Sequence, residues 1–461
     1  MENMKPLRIL MSVIRRILFL QCVILSVAFT QNAIPAEMKS GTIDGHPGWI
    51  MQGNIYEVNI RQYTREGTLK SFSSQLDRLK AMGVQTLWFM PLNPISVEGR
   101  KGSLGSYYAV SDYTAINPEF GTMADWISLV KEIHQKGMKV IIDWVPNHTG
   151  ADNRWLTEHP DFFVKDSTGK AAVAKDWSDT RQLDYKNPVM EDSMIAAMKF
   201  WLIRSNIDGF RCDVAWNVPG SFWHKCIPEL KKIKNVFMLA EGDSSYLPQN
   251  GFDAVYPWHM FHMMEKIAKG ERPAFGLDSI HEETIVRYPA NTILMYFTSN
   301  HDENSWNKAD YGSFPGKVHA PFAVFTQTMA GSVPLIYSGQ EEPVLRPLQF
   351  FEKDPIAFGK FGREKFYKTL LYLRKNNPAL SANASFRKIN AGDDKAVYAY
   401  VRQKGTNKIL VILNLSDREE AISIQDVSLS GQAFNVFKER KEPLSGKPWK
   451  MEPWGYAVFV Y

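Results

Sequence analysis

From about residue 40 onward, short apolar runs alternate with longer segments whose apolar residues recur every three to four positions. Residues 55–60 (IYEVNI), 86–90 (TLWFM), 139–144 (KVIIDW), 207–214 (IDGFRCDV) and 236–241 (VFMLAE) read as strands, short and rich in β-branched and aromatic side chains. A weaker strand falls at 252–256, and two more at 293–299 (ILMYFTS) and 333–337. Helical spacing spans 69–82, 124–135, 187–205, 221–234 and 363–375. The first two of these helices run into Gly83 and Gly137, placed where a left-handed residue ends a helix.

Eight strands alternating with helices predict a parallel (β/α)8 barrel. The competing architecture, an open doubly wound sheet, normally carries a glycine-rich phosphate turn after its first strand. The stretch YEVNIRQYTREG from Tyr56 has none. One unit is too long, since about 70 residues separate Asp143 from Asp213, nearly twice what a strand–helix unit needs. The excess, residues 148–187, is rich in Asp, Trp, Thr and Pro and reads as an irregular insertion after the third strand. Past residue 379 the pattern changes to AVYAYVRQ, KILVILNLS and GYAVFVY, the signature of a small all-β sandwich. The expected layout is therefore a barrel over 45–378, interrupted by the insertion, and a β-domain over 379–461.

Residues 1–30 read as an export signal. Lys5, Arg8, Arg15 and Arg16 precede an apolar stretch at 17–29 that is short for a membrane span, and Ser26 and Ala28 supply small residues for cleavage. An exported protein, periplasmic or secreted, is expected; an uncleaved anchor is the competing reading. The charge of +5 comes from 54 basic and 49 acidic residues, so no footprint for nucleic acid exists. No protein partner is readable either. Cys22 would leave with the signal, and Cys212 and Cys226 read as buried small hydrophobes, with pairing open.

The strand ends carry the chemistry. The third strand closes on DWVPNH (Asp143, Asn147, His148), the fourth on Arg211 and Asp213, the fifth on Glu241, and the seventh on Asn300, His301 and Asp302. In a parallel barrel all C-terminal strand ends open on one face, where barrel active sites lie. One ion pair at a strand end is ordinary structure. Four acidic strand ends on one face would repel and desolvate one another, which points to a functional site.

The ordered segments GSYYAVSDYTAINPEFGT (from Gly105), DWVPNH, QLDYKNP (from Gln182), GFRCDVAWN (from Gly209), FMLAEGD and FTSNHDENS resemble the α-amylase family of glycoside hydrolases (glycoside hydrolase family 13) over residues 53–379. The resemblance implies a barrel called domain A, an inserted domain B and a C-terminal β-domain. It implies a retaining glycosidase acting on α-glucosidic bonds of starch-derived α-glucans and maltooligosaccharides. By position, Asp213 matches the nucleophile that forms a covalent glycosyl-aspartate, Glu241 the general acid/base, and Asp302 the carboxylate that stabilises the transition state. Arg211 beside Asp213 is expected to hold it ionised, and the apolar run before Glu241 to help it keep a proton. Tyr108, His148, Arg211 and His301 match residues around the sugar, and Asp143 is expected to support the site rather than react.

Where many endo-acting members carry Lys-His after the nucleophile, this chain has Trp216-Asn217. The departure leaves an exo-acting α-glucosidase or a transglycosylase of the same family open. A catalytically silent glycan-binding homologue would lack part of the acid set, yet all three acids are present. A metal-dependent hydrolase on the same barrel would need clustered histidines on the first strand, and IYEVNIRQ has none. The resemblance also implies either a structural Ca²⁺ held by Asn147, Asp184 and a carbonyl near 217, or a metal-free hydrogen-bond network of the same residues. No organic cofactor is implied.

Overall fold

The computed structural model describes residues 41–444 and 446–461. The expected export signal and Cys22 lie outside the described residues. Eight parallel strands close into a barrel in chain order: β1 (Ile55–Val58), β2 (Thr86–Phe89), β3 (Lys139–Trp144), β4 (Gly209–Cys212), β5 (Phe237–Ala240), β6 (Ala254–Val255), β7 (Ile293–Tyr296) and β8 (Ser332–Tyr337). β8 pairs back onto β1, with Leu335 opposite Ile55. Nearly every strand residue is buried, because the strands face side chains in the barrel on one side and helices on the other. Gly209 opens β4 where a Cβ would lie 2.0 Å from the Phe237 carbonyl oxygen, so the close approach of β4 to β5 admits only glycine.

Strand ends are shorter than the sequence pattern suggests. β1 stops at Val58, and Ile60–Tyr63 turns helical after Asn59. β4 stops at Cys212, leaving Asp213 and Val214 on the loop at the barrel mouth. The helix read over 69–82 is two pieces, Leu69–Ser73 and Leu76–Met82. Between them the Ser71 and Ser74 hydroxyls donate to the Thr68 and Ser71 carbonyls at 2.9 and 2.8 Å, competing with the helical ladder. Helix Met123–Gln135 begins at a reciprocal cap between Thr122 and Asp125, and Pro188–Ser205 at an Asn187 cap. Among the described residues, three of the longer helices escape the sequence pattern: Trp258–Ala268, Gly276–Arg287 and His319–Thr328.

The insertion leaves β3 through a two-stranded ribbon, His148–Gly150 with Thr180–Gln182, and rejoins the barrel at Asn187. The C-terminal part is a six-stranded antiparallel sheet faced by a ribbon of Glu420–Ile422 and Trp449–Met451. One face of that sheet (Tyr398, Tyr400, Ile409, Val411) joins the barrel core, and the other forms a second core with Ile422 and Met451. Buried Arg402 ties the two units by donating to the Thr328 carbonyl at 2.8 Å and the Ser381 carbonyl at 2.9 Å. Cys212 and Cys226 are free and buried, as read from the sequence. No helix among the described residues is long and apolar enough to cross a membrane.

Candidate active site

The C-terminal ends of β3, β4, β5 and β7 bring their acidic residues together around one buried side chain. Arg211, 1% exposed, donates from Nη1 to Asp143 at 2.9 Å and to Asp213 at 3.0 Å, and its Nη2 lies 3.3 Å from Glu241 Oε2. Its Nε donates to the Tyr256 hydroxyl at 3.2 Å. A planar guanidinium can serve three carboxylates at once because its donors are held in a fixed fork. The pairing glimpsed in the sequence as Arg211 with Asp213 is thus a hub.

The hub does not fully neutralise the cluster. Burial, followed by the charge of Glu241, holds the Asp213 carboxyl well above its ordinary range, against the opposing pull of Arg211. Burial likewise pushes Asp143 up to about 6, with Arg211 and His301 pulling it down. Arg211 is expected to hold Asp213 ionised and does pull its carboxyl down, while burial and the charges of Glu241, Asp143 and Asp302 oppose it. Glu241 also differs from expectation. It does not sit in an apolar setting, since its Oε2 accepts the Val214 N–H at 2.6 Å and faces Arg211. Val214 itself adopts φ +44°, a left-handed conformation in which a β-branched residue is strained. That strain aims its N–H at Glu241.

A second chain of contacts orders the opposite wall. His301 shares a 2.5 Å hydrogen bond between Nδ1 and Glu57 Oε1, and its Nε2 lies 2.8 Å from the Tyr108 hydroxyl and 3.3 Å from Asp302 Oδ2. Burial disfavours a charge on His301, but Asp302 and Glu57 outweigh it and hold the imidazole well above its usual value. Burial also opposes ionisation of Asp302, and His301 overcomes it, leaving that carboxyl below its ordinary value. Tyr108 donates to Asp143 at 3.2 Å, and so does Trp88 Nε1, also at 3.2 Å. Asp143 therefore has its oxygens engaged by three donors. His148, buried and beside Lys175, is pushed down to about 3 and stays neutral.

A cavity of about 370 Å³ opens over this cluster, lined by Tyr108, His148, Asp213, Val214, Glu241 and Asp302. Arg211 and His301 stand behind its wall and shape it. Residues the sequence reading missed complete the lining: Trp177, Asp179 and Thr180 from the insertion, Lys101 bridging to Asp179 at 3.2 Å, and Trp306, Phe350 and Phe351. Trp306 packs at 5.4 Å from Phe350, and Tyr108 stacks on His301 at 5.5 Å, so flat aromatic faces surround the carboxylates. Such faces suit the apolar side of a sugar ring.

The residues named for a structural calcium are engaged by protein donors. Asn147 Oδ1 accepts from Asn217 Nδ2 at 2.8 Å and from Gln182 Nε2 at 3.2 Å, while Asp184 Oδ1 accepts the Lys186 N–H at 3.0 Å. Among the described residues no group of three or more His, Cys, Asp and Glu side chains could hold a metal.

A family model described as the α-amylase catalytic domain matches residues 34–182. α-Amylase MalA of Haloarcula japonica is 26% identical over 400 residues, covering 82% of this chain and 57% of that protein; the chain thus spans little more than half of that relative's length. α-Amylase 3 of Dictyoglomus thermophilum is 25% identical over 456 residues, covering 82% of this chain and 87% of that one. Among solved structures, the noncanonic maltogenic α-amylase AmyB of Thermotoga neapolitana superposes with a TM-score of 0.80 at 27% identity, over 89% of this chain and 99% of that one. An α-amylase from Lactobacillus plantarum does so at 0.80 and 26%, with the same coverage. With the closed barrel, the C-terminal sheet and the carboxylates at the strand ends, these matches make the chain similar throughout its described length to the α-amylase family of glycoside hydrolases.

Proposed function

We propose that this protein hydrolyses α-glucosidic bonds in starch-derived α-glucans and maltooligosaccharides with retention of configuration. The observation that carries the proposal is the Arg211 hub, which keeps Asp213 and Glu241 at close range over one cavity, as a retaining pair requires. In this reading an Asp213 oxygen bonds to the anomeric carbon as the glycosidic C–O bond breaks, and Glu241 gives its proton to the departing oxygen. Water then attacks the same carbon, Glu241 takes its proton, and the bond to Asp213 breaks. Arg211 and the Val214 N–H hold Glu241 in place for that transfer. Asp302, kept ionised by His301, faces the positive charge that develops on the sugar. Tyr108 and His148 contact the ring, and Arg211 and His301 fix the groups that do.

The small, aromatic-walled cavity favours short oligosaccharides over polymer, and it supports exo-acting or transglycosylating use of the same mechanism. Export rests on the N-terminal pattern alone and is checked by cell fractionation. The test of the reaction is maltoheptaose followed by proton NMR. Retention predicts that the α-anomer of the product appears first; initial β-anomer, or no cleavage of maltoheptaose or pullulan, refutes the proposal.

A further inference from the structure

After β7 the chain reaches Asp302 and then coils more widely than an α-helix. Glu303–Asn307 form a π turn directly behind Asp302, and Ala309–Ser313 form a second. The Lys308 N–H closes the first turn on the Glu303 carbonyl, five residues back. Such turns give up part of the regular ladder and recur at functional sites. The side chain this one delivers is Trp306. It is half-exposed and lies on the wall of the catalytic cavity with Asp302, Phe350 and Phe351, its ring 5.4 and 5.8 Å from the two phenyl rings. Burial opposes the charge on Asp302, and Trp306 joins His301 and Arg211 in favouring it.

One buried acid holds this turn. Glu303 is 4% exposed and stands behind the residues that line the cavity. Its N–H donates to Asn300 Oδ1 at 2.8 Å, and its Oε1 accepts from Asn307 Nδ2 at 3.1 Å. Trp306 sits between these two ties. The charges that face the carboxyl are Glu265 and His262, from helix Trp258–Ala268, and neighbouring Asp302. Burial opposes the charge on Glu265, but bonds from His262 and Ser313, at 3.1 and 2.6 Å, outweigh it. Burial pushes the Glu303 carboxyl up to about 7, with Glu265 and Asp302 adding to the rise and the Asn307 bond and His262 opposing it.

We propose that Glu303 is a positioning residue, which in its neutral form fastens Trp306 to the cavity wall through Asn307. Once ionised, the carboxylate faces two like charges in a dry setting and moves toward water, which loosens the turn. Trp306 then loses its fixed place beside Asp302. The site thus carries an alkaline brake separate from the three acids at the strand ends. This rests on the glycosidase reading above, and one arm of the test needs no turnover.

Glu303→Gln keeps the Oε1 acceptor and stays neutral at every pH, while Glu303→Ala and Asn307→Ala remove the bond from either side. Melting curves confirm that each variant folds. The emission of Trp306, taken as the difference between a protein and its Trp306→Phe counterpart, should change with a midpoint at about 7 in the parent and stay flat in Glu303→Gln. With maltoheptaose at about pH 6, Glu303→Gln should keep kcat/KM within about twofold of the parent, and both alanine variants should lose about tenfold. At about pH 8, Glu303→Gln should exceed the parent about fivefold. A Glu303→Gln variant that follows the parent at both pH values, or a parent Trp306 signal with no transition between them, overturns the proposal. If Glu303→Gln abolishes the Trp306 transition but no oligosaccharide is turned over by any of the proteins, the positioning role stands and the hydrolase reading falls.

Discussion

Replacing Arg211 with lysine keeps one positive charge and removes the fork. The guanidinium spends Nη1 on Asp143 and Asp213, at 2.9 and 3.0 Å, and Nη2 on Glu241 at 3.3 Å. A single ammonium in the same buried space can reach only part of that set. Losing two charge-assisted hydrogen bonds, at about 1.5–3 kcal/mol each, removes about 3–6 kcal/mol of organisation from the cluster. If that organisation is realised in the transition state, kcat/KM falls by roughly 10²–10⁴. The sign of the pH effect also follows. Burial already raises Asp213, and raises Asp143 to about 6, with Arg211 opposing both. Weakening that opposition moves both upward, so the acid limb of the profile shifts to higher pH. The assay is kcat/KM on a nitrophenyl maltoside across pH, alongside a melting curve to confirm folding. Activity within tenfold of the parent and an unmoved acid limb would refute the hub.

Three further expectations follow from other parts of the molecule. Glu241→Gln should lower turnover of maltooligosaccharides by roughly 10²–10⁴, and added azide should restore activity on an activated substrate and yield a glycosyl azide; no azide product removes the acid/base role. At the opposite end of β4, buried Asp208 accepts from the Val140 N–H at 2.9 Å and pairs with His134 at 2.7 Å and Lys234 at 2.9 Å. Burial opposes its charge, but these partners hold its carboxyl well below the ordinary range, so its stabilisation is present above the unfolded value and is lost as pH falls through the folded one. Asp208→Asn should therefore cost about 3–5 kcal/mol at neutral pH in urea melts and progressively less on acidification toward about pH 3; a pH-independent cost contradicts it. Because Asn147 Oδ1 is taken by two amide donors, a chelator should leave Tm unchanged, and a drop restored by calcium would place a cation there after all.

The same strand shows what a sequence can and cannot disclose. DGFRCDVAW carries a stabilising acid at its bottom, Asp208, and the hub at its top, and the strand-end rule separates the two without coordinates. Strands β1 to β5 were legible because they are apolar runs closed by polar ends. Helix His319–Thr328 was not, because all of it but Ala320 is buried and it has no polar face to set a period. The three acids were legible because each sits at the end of such a run. Their electrostatics were not, since Glu57 meets His301 across 244 positions of sequence and the strain at Val214 has no local signature. Trp216 read as a loss of charge until the fold brought Lys175 over it from the insertion.

The most direct measurement is to find the covalent intermediate. Glu241→Gln, treated with α-maltosyl fluoride and quenched in acid, should accumulate a glycosyl ester, because the activated leaving group needs no acid while the second step lacks its base. Peptide mass spectrometry should place that ester on Asp213. An ester on another residue, or release of β-maltose with no adduct at any time, would contradict the account.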